Sequence, residues 1–196
     1  QGAEWPDALA NEQALPPLDP SAIAMVDALR NGDRQAFMKF VAQDPKLLNA
    51  RGPEGSTPFM YAVLYSDAAM LERLLTQGAD PNKSNDAHAT ALMWAATDLE
   101  KTRVLLARGA NVNARSDDFR TPLMIAARTG DVDVARLLVE GGAEINKRER
   151  FKDQSAVMWA AGENHPEMVA FLVSKGADLS ARAKATDWET QITNEP

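Results

Sequence analysis

The sequence predicts an all-α fold, a solenoid of stacked helix-turn-helix units joined by β-hairpin-like loops. A Gly-Ala-Asp/Asn/Glu motif recurs at intervals of 31, 33 and 34 residues, beginning at Gly78, Gly109, Gly142 and Gly176. A Thr/Ser-Pro/Ala-apolar-Met motif recurs at intervals of 33, 31 and 34 residues, beginning at Thr57, Thr90, Thr121 and Ser155. Because two separate motifs keep one register, the chain is predicted to be an array of structural repeats.

Each repeat carries the signals of two short helices separated by a turn. In one unit, Thr121 suits an N-cap and Pro122 suits the first helical position, where its missing N–H removes no hydrogen bond. Gly130 closes the turn, Asp131 caps the second helix, and Gly141-Gly142 supplies the left-handed residue that ends it. The pattern therefore predicts a helix pair in every unit.

Small and bulky apolar residues are divided between the two helices. Alanine pairs in the first helix allow neighbouring units to approach closely: Ala95-Ala96, Ala126-Ala127 and Ala160-Ala161. Leucine pairs in the second helix fill the remaining space: Leu74-Leu75, Leu105-Leu106 and Leu137-Leu138. Since no helix pair this short buries its apolar face alone, the units are predicted to stack around one continuous core.

The same landmarks divide the chain into three parts. We expect an extended lead-in over 1–18, in which Trp5 packs on the first unit, and a repeat domain over 19–183. The unit boundaries are expected at about 19–52, 53–85, 86–116, 117–150 and 151–183. Residues 184–196 are expected to be either a tail, with Trp188 covering apolar surface, or the start of a further segment, which is the preferred interpretation.

These motifs resemble the ankyrin repeat, whose pattern is Thr-Pro-Leu-His-x-Ala-Ala followed by Leu-Leu-x-x-Gly-Ala-Asp-x-Asn. The resemblance covers roughly residues 53–183, with a degenerate leading unit before it. It implies a solenoid that binds other proteins and carries out no catalysis. Methionine replaces the family histidine in four units, and because methionine fills irregular gaps these side chains are expected to form a core row. They are Met60, Met93, Met124 and Met158.

Two further departures from that pattern concern the turns. The unit that starts with Thr90 is two residues short and lacks the usual glycine between its helices, which predicts a tighter turn there. Only Gly55 keeps the glycine that stands two residues before the Thr/Ser position. His88, Phe119 and Asp153 replace it in the other units, and these loops are expected to adopt altered turns.

The composition excludes several classes of function. The chain has 28 acidic and 21 basic residues and a net charge of −7, so it repels phosphate backbones. It has no cysteine, which excludes disulfides, zinc-thiolate sites and thiol nucleophiles. The mixed-charge segment 147–150 is interpreted as a solvated loop. We therefore expect no nucleic-acid partner, no membrane insertion, and a chain that is a monomer by itself.

No motif predicts an enzyme. His165 is interpreted as part of a helix start, with Asn164 as the N-cap and Glu167 as the reciprocal cap. His88 is interpreted as a solvated or interface residue at a loop tip. Segment 80–86 alternates oxygen ligands, but it lacks the glycine and the bidentate glutamate of a calcium loop. We predict no catalytic residue, no metal site and no cofactor.

The resemblance implies that the loop tips and first helices line a concave groove. Carried over unit by unit, the expected partner-binding residues are Leu64, Tyr65, Asp86, Asp98, Asp117, Asp118, Phe119, Arg120, Arg128, Phe151, Lys152 and Glu163. Aromatic and arginine side chains dominate binding hot spots, which favours a protein or peptide partner. Phe119 and Phe151 either face solvent or pack against neighbouring loops. Trp94 and Trp159 are expected in the core.

A second function remains open, in which the array is the scaffolding or regulatory part of a larger polypeptide with a catalytic or redox domain elsewhere. The chain begins with Gln1 in place of Met, so we expect a removed export signal or a shortened chain, with the first preferred. The short unit, the methionines and the tail resemble ankyrin arrays of exported bacterial proteins. This resemblance implies an exported or periplasmic location, with the cytoplasm as the alternative.

Overall fold

Five consecutive helix pairs make up the part of the chain that the structure describes. The computed structural model describes residues 16–182. The expected positions of Trp5 in the lead-in and of Trp188 in the tail over 184–196 lie outside these residues. The helices are α1 (Pro20–Arg30), α2 (Arg34–Gln43), α3 (Pro58–Tyr65), α4 (Ala68–Thr76), α5 (Ala91–Ala95), α6 (Leu99–Ala107), α7 (Pro122–Thr129), α8 (Val132–Glu140), α9 (Ala156–Gly162) and α10 (Pro166–Ser174).

The helices begin where the sequence places capping residues. The Thr121 hydroxyl accepts a hydrogen bond from the backbone N–H of Met124 at 3.3 Å, directly before Pro122 at the first helical position. The Asp131 carboxylate accepts one from the N–H of Val134 at 3.0 Å at the start of α8. These bonds satisfy N–H groups that have no partner inside the helix. The helix-turn-helix prediction is confirmed.

The helices form two layers that share one core. The first helices of each pair pack against one another along the array, and so do α4, α6, α8 and α10. Ala95, Ala126 and Ala160 are at most 1% exposed, which places these alanines at the contacts between first helices, whereas Ala161 at the last unit is exposed. Leu105 and Leu138 are fully buried on the second helices. Each such leucine contributes about 1.5–3 kcal/mol through removal of its surface from water.

Two predictions about individual units are confirmed. Helix α5 has only five residues, and Asp98 is the N-cap of α6. The turn between the two helices is tight, because the N–H of Asp98 donates to the Ala95 carbonyl at 2.8 Å. The buried hydroxyl of Thr102 donates to the same carbonyl at 2.8 Å and closes the shortened unit. Methionines at the histidine position pack into the core, since Met60, Met93 and Met124 are buried and Met158 is half-buried.

A ladder of asparagine side chains joins the bases of neighbouring loops. Each side-chain amide donates to a glycine carbonyl of the next unit at 2.8–3.1 Å. The Oδ1 of the same asparagine accepts from the backbone N–H of the residue two positions after that glycine, at 2.7–2.8 Å. The four asparagines are Asn49, Asn82, Asn113 and Asn146. Because both bonds go to backbone atoms, the ladder fixes the spacing of the units independently of the side chains at the loop tips.

The predicted capping box at the start of α10 is wrong. Asn164 is left-handed, with φ of 59°, and His165 takes the N-cap position without a side-chain capping bond. The Nε2–H of His165 instead donates to the Arg128 carbonyl at 2.9 Å. Its ring lies against Gly130, where a Cβ atom would come within 2.5 Å of Nδ1. His165 therefore links two units.

The connecting loops are hairpin-like, with isolated antiparallel bridges between Ser84 and Thr90 and between Arg148 and Ser155. Between residues 16 and 182, every helix is too short or too polar to cross a membrane. The loop tips and the first helices lie on the same side of the array, and this side contains the candidate site.

Candidate protein-binding groove

The loop tips share a left-handed residue two positions before the Thr/Ser position, which corrects the prediction of altered turns at His88 and Phe119. The first loop has a second left-handed residue, Glu54, and the fourth loop is one residue longer. The residues at the first, second, third and fourth tips all lie in the left-handed region, with φ between 56° and 70°. They are Gly55, His88, Phe119 and Asp153, in that order. Each hairpin is closed by a backbone hydrogen bond of 2.9–3.1 Å, such as that from Ser116 N–H to the Arg120 carbonyl. These bonds impose the conformation whatever residue occupies the position. The same backbone therefore presents a different side chain in each unit.

Glycine is required only at the first tip. A Cβ atom on Gly55 would lie 2.0 Å from Oδ1 of Asp86. The same Asp86 carboxylate accepts from the Arg51 guanidinium at 2.7 Å, so it is held over the tip. The later tips have room for a side chain, and they carry His88 and Phe119.

Backbone bonds join the tips into a continuous edge. The N–H of Asp86 donates to the Glu54 carbonyl at 3.1 Å, that of Asp117 to Ala87 at 3.0 Å, and that of Arg150 to Asp118 at 2.9 Å. An edge fixed at both the asparagine ladder and the tips has little freedom to lose when a partner binds.

The acidic side chains expected at the site are mostly bonded within the chain. Asp117 lies 2.5 Å from Nδ1 of His88 on the preceding tip. Asp118 lies 2.7 Å from Nε of Arg120. Asp98, the N-cap of α6, lies 3.4 Å from the Lys101 ammonium. These contacts were not evident from the sequence, because each pairs residues whose closeness depends on the stacking or on the turn.

The fourth tip is organised by a buried carboxylate, so the interpretation of segment 147–150 as a solvated loop is wrong. Glu149 is only 5% exposed and accepts backbone N–H bonds from Phe151, Lys152 and Gln154 at 2.7, 2.8 and 3.1 Å. Burial alone raises the pKa of Glu149, but these three N–H groups and the guanidinium of Arg120 outweigh it. Its pKa therefore lies below the ordinary 4.5, and the carboxylate is ionised at neutral pH.

A depression of about 490 Å³ lies between the second, third and fourth tips. Its floor is apolar and its rim is charged. The lining comprises Ala87, Ala89, Met93, Trp94, Ser116, Asp117, Asp118, Arg120, Ile125, Arg150 and Phe151. Its volume falls within the roughly 300–1,000 Å³ of ligand-binding pockets, and a few charged groups around an apolar floor are their usual composition.

A second depression of about 310 Å³ continues the groove beyond the first, lined by Arg128, Lys152, Gln154, Met158, Trp159, Gly162 and Glu163. The guanidinium carbons of Arg120 and Arg128 lie 5.4 and 5.7 Å from the centre of the Trp159 ring, within cation–π range. Trp159 and Trp94 are half-buried at the groove. Trp94 also packs against the core, edge-on to Tyr61 with 5.5 Å between the ring centres, so its prediction as a core residue is partly confirmed, whereas that of Trp159 is wrong. The position after the methionine lies on the groove side of the first helix.

The aromatic residues at the tips face solvent. Phe119 is 40% and Phe151 is 68% exposed, which decides between the two alternatives for these rings. Arg115 stacks over Phe119, with 4.2 Å between the guanidinium carbon and the ring centre. Both rings are therefore accessible to a partner.

The structure brings most of the expected residues together, but not all. The first depression contains Asp117, Asp118, Arg120 and Phe151, and the second contains Arg128, Lys152 and Glu163. Leu64 and Tyr65, at the end of α3, are half exposed and line neither depression. Asp86, Asp98 and Phe119 are also outside both.

Sequence reasoning missed four residues that build this site: Met93, Ile125, Glu149 and Arg150. Met93 and Ile125 belong to the ordinary apolar pattern of the first helices. The sequence gives a weak signal for Glu149 only: the spacing from Gly-Ala to the Thr/Ser motif of the next unit is one residue longer at this loop.

Comparison with protein families gives a match to ankyrin repeats (3 copies) over residues 25–116 and 100–183. The chain belongs to the ankyrin repeat family. Ankyrin repeats are non-catalytic protein–protein interaction modules. The ankyrin array of this chain departs from the family pattern at the histidine position, where buried methionines take its place, and His165 reaches Arg128 from a different position.

Several curated proteins contain similar arrays. Inversin of Canis lupus familiaris is 31% identical over 153 residues, which is 76% of this chain and 14% of inversin. Neurogenic locus notch homolog protein 1 of Xenopus laevis is 33% identical over 142 residues, 71% of this chain and 6% of that protein. Ankyrin repeat and SAM domain-containing protein 6 of Rattus norvegicus is 40% identical over 74 residues, 38% of this chain and 8% of that protein. The ankyrin chain thus spans a small part of the relatives it matches.

Proposed function

We propose that this ankyrin array binds a protein or peptide partner through the concave groove and the loop tips. The observation that carries the proposal is the apolar depression between Trp94 and Phe151, bordered by the exposed ring of Phe151 on a hydrogen-bonded edge. Aromatic anchors over a concave apolar floor are typical of binding hot spots.

The mechanism is recognition by a preformed surface. The asparagine ladder and the backbone bonds between tips hold the groove before a partner arrives. Association therefore costs little ordering of this chain, and more of the contact free energy contributes to affinity. We expect an interface of roughly 1,200–2,000 Å².

Three alanine substitutions test the groove. We expect the combined change Tyr65→Ala, Phe119→Ala and Phe151→Ala to abolish capture of the partner from the native cell extract, because it removes the exposed rings. The matched control is Lys39→Ala, Arg73→Ala and Arg103→Ala, on the second-layer helices α2, α4 and α6. Circular dichroism establishes that both variants fold. Equal capture by the two variants and the unmodified chain contradicts the proposal.

A second function is supported by the length of the relatives. Inversin is about seven times longer than the segment that this chain matches, so arrays of this kind occur inside larger polypeptides. We infer as an alternative that the array positions or regulates a catalytic or redox domain of its own polypeptide. The full reading frame tests this: a stop codon directly after Pro196 together with a start codon or an export signal directly before Gln1 contradicts it.

A further inference from the structure

We propose that the segment bound in the groove is an acidic peptide that carries a large apolar side chain. The inference rests on the proposed function and specifies the chemistry of the partner at the same site. Three features of the third and fourth tips support it: the shape of the first depression, the internal pairing of the acids, and the cations that have no acidic partner.

The first depression fits an apolar side chain. Trp94, Met93 and Ile125 form its floor and Phe151 forms one wall. Burying an aromatic side chain removes about 150–250 Å² of surface from water, which makes it the strongest available anchor for a site of this size. The apolar floor offers few partners to a polar group, so insertion of a charged side chain leaves it without hydrogen bonds.

Most of the acids around the groove already have a bonding partner within the chain itself. Asp86 is paired with Arg51, Asp117 with His88, Asp118 with Arg120 and Asp98 with Lys101. An incoming cation would have to compete with a partner that the fold holds in place. The acidic overall charge of the protein therefore does not make this face attractive to a basic ligand.

Apart from Arg120, which is paired with Asp118, the cations at or near the two depressions have no such partner among the described residues. Arg115, Arg128, Arg150 and Lys152 have no carboxylate of residues 16–182 within 4.0 Å, and all four are exposed. Arg150 borders the first depression, and Arg128 and Lys152 border the second. Glu163 is the one acid among the predicted site residues that the described part of the chain leaves without a cation. The free charge at this end of the groove is therefore positive.

A carboxylate-bearing peptide satisfies both features at once. Its apolar residue occupies the first depression, and its acidic residues reach Arg150 on one side and Arg128 and Lys152 on the other. Guanidinium groups bind carboxylates through two parallel hydrogen bonds, which adds orientation to attraction. A nucleic acid would meet the same cations, but the net charge of −7 opposes a long phosphate chain more than a short acidic segment that contacts these cations alone.

Selection from a random peptide library on phage tests the inference. The immobilised chain is panned, and enriched sequences are synthesised with a fluorescein label for anisotropy titration. We expect enriched peptides to combine several Asp or Glu residues with a large apolar residue. The combined variant Arg128→Ala, Arg150→Ala and Lys152→Ala should weaken their binding about tenfold, since each exposed pair contributes modestly. The control Lys39→Ala, Arg73→Ala and Arg103→Ala changes net charge equally and should leave binding within twofold.

Each other result overturns the inference. If the enriched peptides are basic or uncharged and bind the Phe151→Ala variant more weakly, the groove is the binding site but its partner is not acidic. If neither Phe151→Ala nor the combined cation variant changes the affinity of the enriched peptides, the groove is not the binding site, and the proposed function is contradicted as well. A library that yields no enriched sequence, or tighter binding of a single-stranded oligo-deoxythymidine through the same three cations, also overturns it.

Discussion

The bases and the tips of the loops make an instructive comparison. At the bases, asparagine repeats the same two backbone bonds four times, with distances that vary by at most 0.3 Å. At the tips one left-handed position recurs in all four loops, but the side chains there are Gly55, His88, Phe119 and Asp153, and the fourth loop is one residue longer. The array therefore separates its structural repeat from its recognition surface, and a tip changes without altering the stacking of the units.

The tips also differ among themselves in how they are supported. The second and third tips are tied by the pairing of His88 with Asp117 on the surface. The fourth tip is supported from inside by Glu149 beneath Phe151. An internal support leaves the aromatic ring and its neighbouring cations free, which is the arrangement expected of the tip that contacts a partner most.

The largest expected effect comes from removing the internal support. Glu149→Ala leaves three backbone N–H groups without their acceptor, and hydrogen bonds to a charged group contribute more than neutral ones. We expect the free energy of unfolding, measured by urea denaturation, to fall by about 3 kcal/mol. Glu149→Gln keeps one acceptor oxygen and should lose about half as much. A loss below that of a typical surface substitution would show that the fourth tip is held by other contacts.

The next effect distinguishes the bases from the tips. Asn82→Ala removes one bond to the Gly109 carbonyl and one from the Asn111 N–H, so we expect a loss of about 2 kcal/mol in the free energy of unfolding. The matched control is Asn111→Ala, which removes one bond within its own loop, from the Asn113 N–H at 3.0 Å. Equal losses for the two variants would mean that the ladder does not couple neighbouring units.

A smaller effect of opposite sign is expected at the third tip. Phe119 has φ of 63°, a conformation that costs residues with a Cβ about 1 kcal/mol relative to glycine. Phe119→Gly should therefore raise the midpoint of thermal unfolding while weakening partner binding, and Phe119→Ala should weaken binding without the gain. If glycine destabilises the protein, stacking of the ring with Arg115 contributes more than the strain removes.

The smallest effect is a dependence of stability on pH. The Glu149 pKa is depressed in the folded state, so its contribution to stability is complete above its ordinary pKa of 4.5 and is lost as pH falls through the lower folded value. As the pH falls from 4.5, the unmodified chain should therefore lose more stability than the Glu149→Gln variant does. Parallel curves for the two proteins, measured by urea denaturation at each pH, would contradict the depressed pKa.

Much of the fold was predictable because it depends on local and periodic signals. The caps Thr121 and Asp131, the left-handed Gly130 and the buried methionines all act within one unit or repeat from unit to unit. The turns at His88 and Phe119 were mispredicted because a backbone hydrogen bond network imposes the left-handed conformation against the preference of the residue.

The candidate site was less predictable because its contacts cross between units. The extra residue in the loop around Glu149 is only a weak signal that its carboxylate turns inward, and the pairing of His88 with Asp117 depends on how two loops stack. Trp94 and Trp159 look like core residues in sequence, since only the geometry of the stack shows which side of the first helix faces the groove. The resemblance predicted the groove, and the structure shows which of the predicted residues lie together.

Photo-crosslinking from the fourth tip tests the central claim most directly. Replacing Phe151 with p-benzoyl-phenylalanine puts a reactive ketone at the wall of the first depression, and the same replacement of Arg103 puts one on the opposite layer, on α6. After irradiation in the native extract, we predict a discrete adduct from position 151 that disappears when Arg128, Arg150 and Lys152 are changed to alanine, and none from position 103. An adduct of the same partner from position 103 alone would contradict the account.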